Sequence, residues 1–238
     1  VAATSEGSAL TLDVSPAQQG GRTAQVELVL SGDREGYLLQ GALDVTLPPA
    51  DAEAMPVVVW RDEMTARRVS DAADRWFSDY LGTPCHLVYQ HEADLRAVAP
   101  AHGTRPGDEV SFADGYPVLL IGSASLDDLN GRLASPVPMS RFRTNIVADT
   151  DAPFVEDSWA RIAIGEVTFD VVKRCARCVF TTVDPMSGQK DPAGEPLATL
   201  RGYRLDKSER GVMFGVNLVP RGTGALAAGQ PIKVLETR

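Results

Sequence analysis

A chain of 238 residues and 25.5 kDa, 44% hydrophobic, 23% charged and 6% aromatic, is long enough for one large or two small domains and excludes a disordered or fibrous polypeptide. Its 32 acidic and 23 basic residues give a formal charge of −9 at pH 7, which argues against a partner held through neutralised phosphates, so nucleic acid is not expected. No run approaches the ~18 apolar residues that a membrane-spanning helix needs, and the first residues lack the basic-then-apolar pattern of a secretory signal.

The chain opens without Met and with a strand-like run at 10–14, as expected either of a processed or trimmed N-terminus or of a sequence given without an upstream segment. Short β-branched runs bounded by Gly, Pro, Asp or Ser follow at 25–30, 37–47, 56–60 and 86–89. Between them, 47–54 reads as an exposed connection, and 70–82 breaks the rhythm. Ser70 is a helix N-cap followed by acids in the first turn, Trp76, Phe77, Tyr80 and Leu81 share one face, and Gly82 closes the segment, which predicts a helix. The polar stretch 91–109, with Pro100, Gly103, Pro106 and Gly107, is long for a loop and marks a junction between a domain at 1–95 and one at 96–238. Further strands are expected at 116–121, 160–164, 167–173, 179–183, 212–219 and 231–235. Ser125 and the leucines at 126, 129 and 133 predict a short helix, weakened by Gly131. Strands outnumber helices and do not alternate with them, so the expected fold class is α+β, β-rich and barrel-like, with few helices and no internal repeat.

Three cysteines, Cys85, Cys175 and Cys178, are too few for a disulfide framework and point to a reducing compartment, with cytoplasm the default. Lys173, Arg174 and Arg177 would favour the thiolate of a nearby cysteine, and the thiolate is both the reactive and the metal-binding form. The pair Cys175 and Cys178 reads first as buried small hydrophobes, and otherwise as a redox dithiol, one ligand thiol beside an incidental neighbour or, least, half a zinc site, since no second pair follows and Cys85 and His86 are neighbours that a strand would point apart. With only His86, His91 and His102 and no Gly-x-Ser-x-Gly elbow, a serine-hydrolase triad is not expected, and the histidines read as surface or loop residues. No phosphate-cradling glycine loop is present either. Arg141 and Arg143, two residues apart on an extended segment, would share a face and grip an anion. The alternative is a solvated pair balanced by Asp149, Asp151 and Glu156.

Taken in order, 123–130 (SASLDDLN), 142–147 (FRTNIV), 156–159 (EDSW) with Ile164-Gly165, 177–188 (RCVFTTVDPMSG) and 195–204 (EPLATLRGYR) with Phe214-Gly215 closely resemble the MOSC family, and within it the amidoxime-reducing branch. The resemblance covers the chain, less specifically before about residue 95, which is similar to the N-terminal β-barrel domain of that family. It implies a molybdenum cofactor (molybdenum with its pterin, molybdopterin) liganded by Cys178, with Cys175 a neighbour. It also implies pterin contacts from Arg143 and Asn145, with Thr144 where Pro is common. Arg177 and the turn Asp114-Gly115-Tyr116 follow as further cofactor-lining residues. The implied activity is oxidoreduction of a small N-hydroxylated substrate by N–O cleavage. Since no four-cysteine iron–sulfur spacing is present, electrons are expected from a separate reductase, haem or iron–sulfur protein. The alternative is a non-catalytic cofactor carrier or sulfur-handling module. One departure stands out: the Lys-Ser pair and Arg that the family carries on its first barrel strands have no counterpart from Val1 onward.

Overall fold

The computed structural model describes residues 13–16, 23–28, 41–59, 62–91, 94–101 and 103–238. They fall into two compact units, 1–96 with 109–114, and 97–108 with 115–238.

In the first unit, β1 (Asp13–Pro16), β2 (Thr23–Leu28) and β3 (Gly41–Thr46) form an antiparallel sheet in that order. A second antiparallel sheet takes β4 (Ala54–Val59), β5 (Asp62–Arg68) and, beyond the helix, β6 (Val88–Tyr89). Strand β5, Asp-Glu-Met-Thr-Ala-Arg-Arg, was not expected, because only Ala66 on it is fully buried and its polar composition masks its pairing with β4. The expected runs at 10–14, 25–30, 37–47 and 56–60 lie partly outside the described residues, as does His102. Helix α1 (Asp71–Leu81) forms where its cap predicts: the Ser70 hydroxyl accepts from Ala73 N at 3.1 Å, and Gly82 at φ 66 ends it in the left-handed region. Ala73 and Phe77 on its inner face pack with Val45 and Leu87. The same helix buries Asp74, which accepts from Leu87 N at 2.8 Å and Arg68 Nε at 2.6 Å and lies 2.7 Å from His86 Nδ1. Burial pushes that carboxyl up, but His86, the Leu87 amide and Arg68 outweigh it and hold it below its ordinary value.

Two-residue strands β7 (Arg96–Ala97) and β8 (Glu109–Val110) lie where the chain changes unit. The second unit then runs β9 (Val118–Gly122), α2 (Ser123–Asn130), β10 (Ile146–Ala148), β11 (Trp159–Ile164), β12 (Val167–Arg177), α3 (Leu197–Arg204), β13 (Leu205–Asp206), β14 (Gly211–Pro220) and β15 (Ile232–Thr237). Seven of these strands form one curled half-barrel sheet, ordered β10-β9-β14-β12-β11-β15 with β13 also paired to β14. Only β10 and β9 run parallel; the other pairings are antiparallel. One core cluster gathers Leu120, Trp159, Ile162, Val216 and Leu218, and another Ile121, Leu129, Phe142, Leu200 and Phe214. Strand β14 serves both because Gly215, at φ 78, interrupts its alternation. Opposite β12, Arg174 faces Val216 and Ala176 faces Met213, one extra residue on β14. The fold is therefore β-rich α+β, as expected, with three helices among the described residues. None of them is long and apolar enough to cross a membrane.

Three local expectations differ. Residues 179–183 are not a strand: Val179–Thr182 is a 3-10 turn, because the Thr181 and Thr182 hydroxyls donate to Cys178 O and Val179 O at 2.9 and 2.7 Å. Arg141 and Arg143 do not share an extended segment; Met139–Phe142 is a 3-10 turn, and Arg143 follows in the left-handed region at φ 55. Helix α2 starts two residues before the expected cap. Its N-cap is Gly122, whose amide donates to the buried Glu156 Oε1 at 3.0 Å, and Ser125 donates to the same oxygen at 2.7 Å. Helix α3, unforeseen in the sequence, presents only Leu200 as a fully buried residue, too little for a periodic signal.

Candidate functional site

Strand β12 delivers Cys178. The chain is still extended there (φ −112, ψ 179) and turns directly after it into Val179–Thr182. The Cys178 carbonyl accepts from Thr181 N at 3.2 Å and Thr181 Oγ1 at 2.9 Å, so the backbone is pinned while the side chain is exposed as a free thiol. Cys175 is a free, half-buried thiol. Three extended residues span about 10 Å, beyond the ~7 Å that a disulfide tolerates between Cα atoms, so the two do not form a ready dithiol. Among the described residues neither has companions that would complete a cluster of three or more His, Cys, Asp or Glu around a metal ion.

The cations expected around Cys178 are mostly engaged elsewhere. Lys173 pairs with Glu209 at 3.3 Å, and Arg174 pairs with Asp206. Arg177 turns its Nη1 onto Cys175 Sγ at 3.0 Å and its Nη2 onto Phe142 O at 2.7 Å. Sequence proximity pointed Arg177 at Cys178; the strand instead sends it back along β12 and across to the 139–142 turn.

That contact is one of three that hold the cysteine segment against residues 141–143. The Arg143 guanidinium lies over the Phe180 ring, 5.5 Å from its centroid, and Arg141 Nη2 donates to Asp184 Oδ2 at 3.1 Å. Arg143 is exposed and makes no ion pair among the described residues. Asn145 is a brace: its Oδ1 accepts from Leu119 N at 2.8 Å and its own amide donates to Leu119 O at 3.0 Å, which leaves Nδ2 for a ligand. Tyr116 is half-buried, its phenol raised by burial, with Lys173 and Glu209 as charged neighbours rather than Cys178. Asp114 belongs to the first unit, where its carbonyl accepts from Arg96 Nη2 at 2.9 Å, whereas Gly115 and Tyr116 begin a stretch of the second. The second unit thus holds the segment of Arg177 and Cys178 against the turn that bears Arg143, with Asn145 two residues further along the chain. Elsewhere, His86 and the half-buried Cys85 line pockets on the first unit.

Asp184 is the participant that sequence reading passes over. Its Oδ1 accepts from Met186 N and Ser187 N, both at 2.9 Å, the turn chemistry that Asp-Pro-Met-Ser-Gly encodes. Those two amides and the Ser187 hydroxyl hold its carboxyl below the ordinary value, with a smaller contribution from Arg141.

A molybdopterin-type group needs a soft ligand open to solvent and donors for its anionic and heteroaromatic parts. The residues fit: Cys178 is an exposed thiol, Arg143 is an unpaired cation, and Arg141 Nε and Nη1, Arg177 Nε and Thr144 Oγ1 are buried without a hydrogen-bond partner among the described residues.

A curled, mostly antiparallel sheet with few helices is consistent with a MOSC-type β-rich α+β domain. The MOSC domain family model matches residues 107–233, and the chain belongs to that family. It is 32% identical over 231 residues to mitochondrial amidoxime-reducing component 1 of Homo sapiens, covering 92% of this chain and 68% of that protein. To the component 1 protein of Danio rerio it is 37% identical over 182 residues, 73% of this chain and 55% of the relative. Molybdenum cofactor sulfurase of Oryza sativa subsp. japonica is 31% identical over 198 residues, 75% of this chain and 24% of that protein. The chain thus spans between about half and two thirds of the amidoxime-reducing relatives' length.

Proposed function

We propose that this chain binds the molybdenum cofactor through Cys178 and reduces small N-hydroxylated substrates. The observation that carries the reading is the exposed Cys178 thiol, backbone-pinned where β12 ends and clamped against the turn that bears the unpaired Arg143. The names of its relatives, amidoxime-reducing components and a molybdenum cofactor sulfurase, favour it. In this reading residues 1–95 are the N-terminal barrel-like domain and 96–238 the MOSC domain, and a cytoplasmic location goes with the reduced cysteines.

The cofactor, when bound, supplies two-electron chemistry that accepts oxygen from an N–O bond. Cys178 is the protein's ligand as a thiolate, and the Thr181 contacts to its carbonyl fix where the sulfur emerges. Arg143 and Asn145 Nδ2 would hold the pterin side, and Arg177 keeps the turn in place through Phe142 O. Converting N–OH to N–H and water takes two electrons and two protons, and a separate electron-donor protein supplies the electrons.

The test is metal and pterin analysis of protein made in a host that synthesises the cofactor, with turnover of N-hydroxybenzamidine under a chemically reduced viologen. Molybdenum near one per chain, with both molybdenum and turnover lost in Cys178→Ala, supports the reading. Cofactor bound without turnover favours a carrier or sulfur-handling module, the reading to which the sulfurase relative lends weight.

A further inference from the structure

The first unit holds a cavity of about 800 Å3, the size of pocket that takes a small organic molecule. Met55, Val57, Pro84 and Val88 give it apolar walls, and among the described residues no lysine or arginine lines it. Its polar groups are the Cys85 thiol, the Glu63 carboxylate and the His86 imidazole. Glu63, opposite Val58 on β5, is exposed and makes no ion pair among the described residues. His86 is oriented: its Nδ1 lies 2.7 Å from Oδ2 of the buried Asp74, which Arg68 Nε at 2.6 Å and Leu87 N at 2.8 Å hold in place. An ionised carboxylate only accepts, so the imidazole proton sits on Nδ1 and Nε2 of the half-exposed ring is left as an acceptor. Pro84, Cys85 and His86 also border a smaller pocket that sets Asp71, Asp74 and Asp79 against Arg68 and Arg75, and Arg68 is already taken by Asp71 and Asp74. The surroundings are therefore acidic on balance.

We propose that this cavity binds a small organic cation with an apolar body, an amine or an amidine, its charge toward Glu63 and one N–H donated to His86 Nε2. An anion would meet the Glu63 carboxylate with no cation on the walls to hold it, and a neutral molecule would forgo the charge-assisted contact. Because Glu63 is open to water, it selects the sign of charge more than it supplies affinity, most of which comes from covering the apolar walls. The class has one tie to the proposed function, and that tie alone rests on it. Removing the hydroxyl of an N-hydroxylated amidine leaves a strongly basic product, a cation at neutral pH where its parent is uncharged, so the cavity discriminates product from substrate.

The experiment titrates benzamidine, N-hydroxybenzamidine and benzoate into the full chain, made without cofactor, at about pH 8, above the ordinary imidazole range. Binding is read by calorimetry. The cavity requires that benzamidine bind at least threefold more tightly than N-hydroxybenzamidine and that benzoate bind more weakly than either. A second ring for the apolar walls, as in 2-naphthamidine, should bind more tightly still. Glu63→Gln should bring benzamidine and N-hydroxybenzamidine close to equality, Glu63→Lys should put benzoate ahead of benzamidine, and His86→Ala should weaken benzamidine severalfold. Glu63 is exposed, so neither of its substitutions threatens the fold. Cys178→Ala should bind all of these probes like the parent chain. No preference for benzamidine, or a preference that survives in both Glu63 variants, overturns the inference. Failure of the molybdenum reading is registered separately, by metal analysis of the parent and Cys178→Ala proteins: a chain that takes no molybdenum yet shows this preference keeps the cavity and loses the proposed function.

Discussion

Arg177 donates to the sulfur of Cys175 at 3.0 Å, two residues back along the same strand, although Cys178 is its neighbour in sequence. Successive side chains of an extended segment leave on opposite faces, so a residue and its second neighbour meet while adjacent ones diverge. Cys178 is thereby left exposed, and Cys175 is tied into the clamp that reaches Phe142 O.

The two cysteines should therefore respond differently to replacement. Cys178→Ala is expected to lose bound molybdenum and Cys175→Ala to retain it, by metal analysis of each variant. Cys175→Ala should instead cost about 1 kcal/mol in urea unfolding, the worth of an ordinary hydrogen bond. Equal molybdenum loss in both variants would contradict the division.

Glu156 is fully buried and serves as a cap from another part of the chain for helix α2. Glu156→Ala strands the Gly122 amide and the Ser125 hydroxyl in a dry interior, for an expected loss of roughly 2–4 kcal/mol by urea denaturation. Glu156→Gln, which keeps an acceptor, should lose less than half of that.

Gly215 is required on two counts. A Cβ there would lie 2.5 Å from Ile121 Cγ1 and 2.7 Å from Leu120 O, and its φ of 78 suits glycine. Gly215→Ala should cost about 2–5 kcal/mol, combining left-handed strain with overpacking against backbone that cannot retreat. A melting temperature within a degree or two of the parent would refute this.

Stability should fall in acid through Asp170. Burial pushes this carboxyl up, but Arg161 and Arg221 outweigh burial and hold it below its ordinary 3.8, with Arg105 adding to them. A depressed carboxylate stabilises the fold above its unfolded-state value, so the contribution is complete above about pH 4 and is lost as pH falls through the lower folded value. Asp170→Asn should flatten that decline and destabilise the protein at neutral pH by roughly 3–5 kcal/mol, since the arginines remain without their buried partner. Unfolding midpoints of both proteins between pH 2 and 7 check the sign.

By itself the sequence determined helix α1, from its Ser70 cap to Gly82, and most strands of the curled sheet, because caps and alternation act within a few residues. It also singled out Cys178, Arg143 and Asn145, through motif order rather than geometry. The tertiary structure decided the rest. Strand β5 and helix α3 bury too few residues to be read without their partners, and the turn at Val179–Thr182 overrode a β-branched run because hydroxyls captured its carbonyls. The clamp at the site joins residues far apart in the chain, 35 positions for Arg177 to Phe142 and 43 for Arg141 to Asp184. Composition and spacing record which groups can pair; only the closing of the sheet brings a guanidinium to one carbonyl or carboxylate rather than to another.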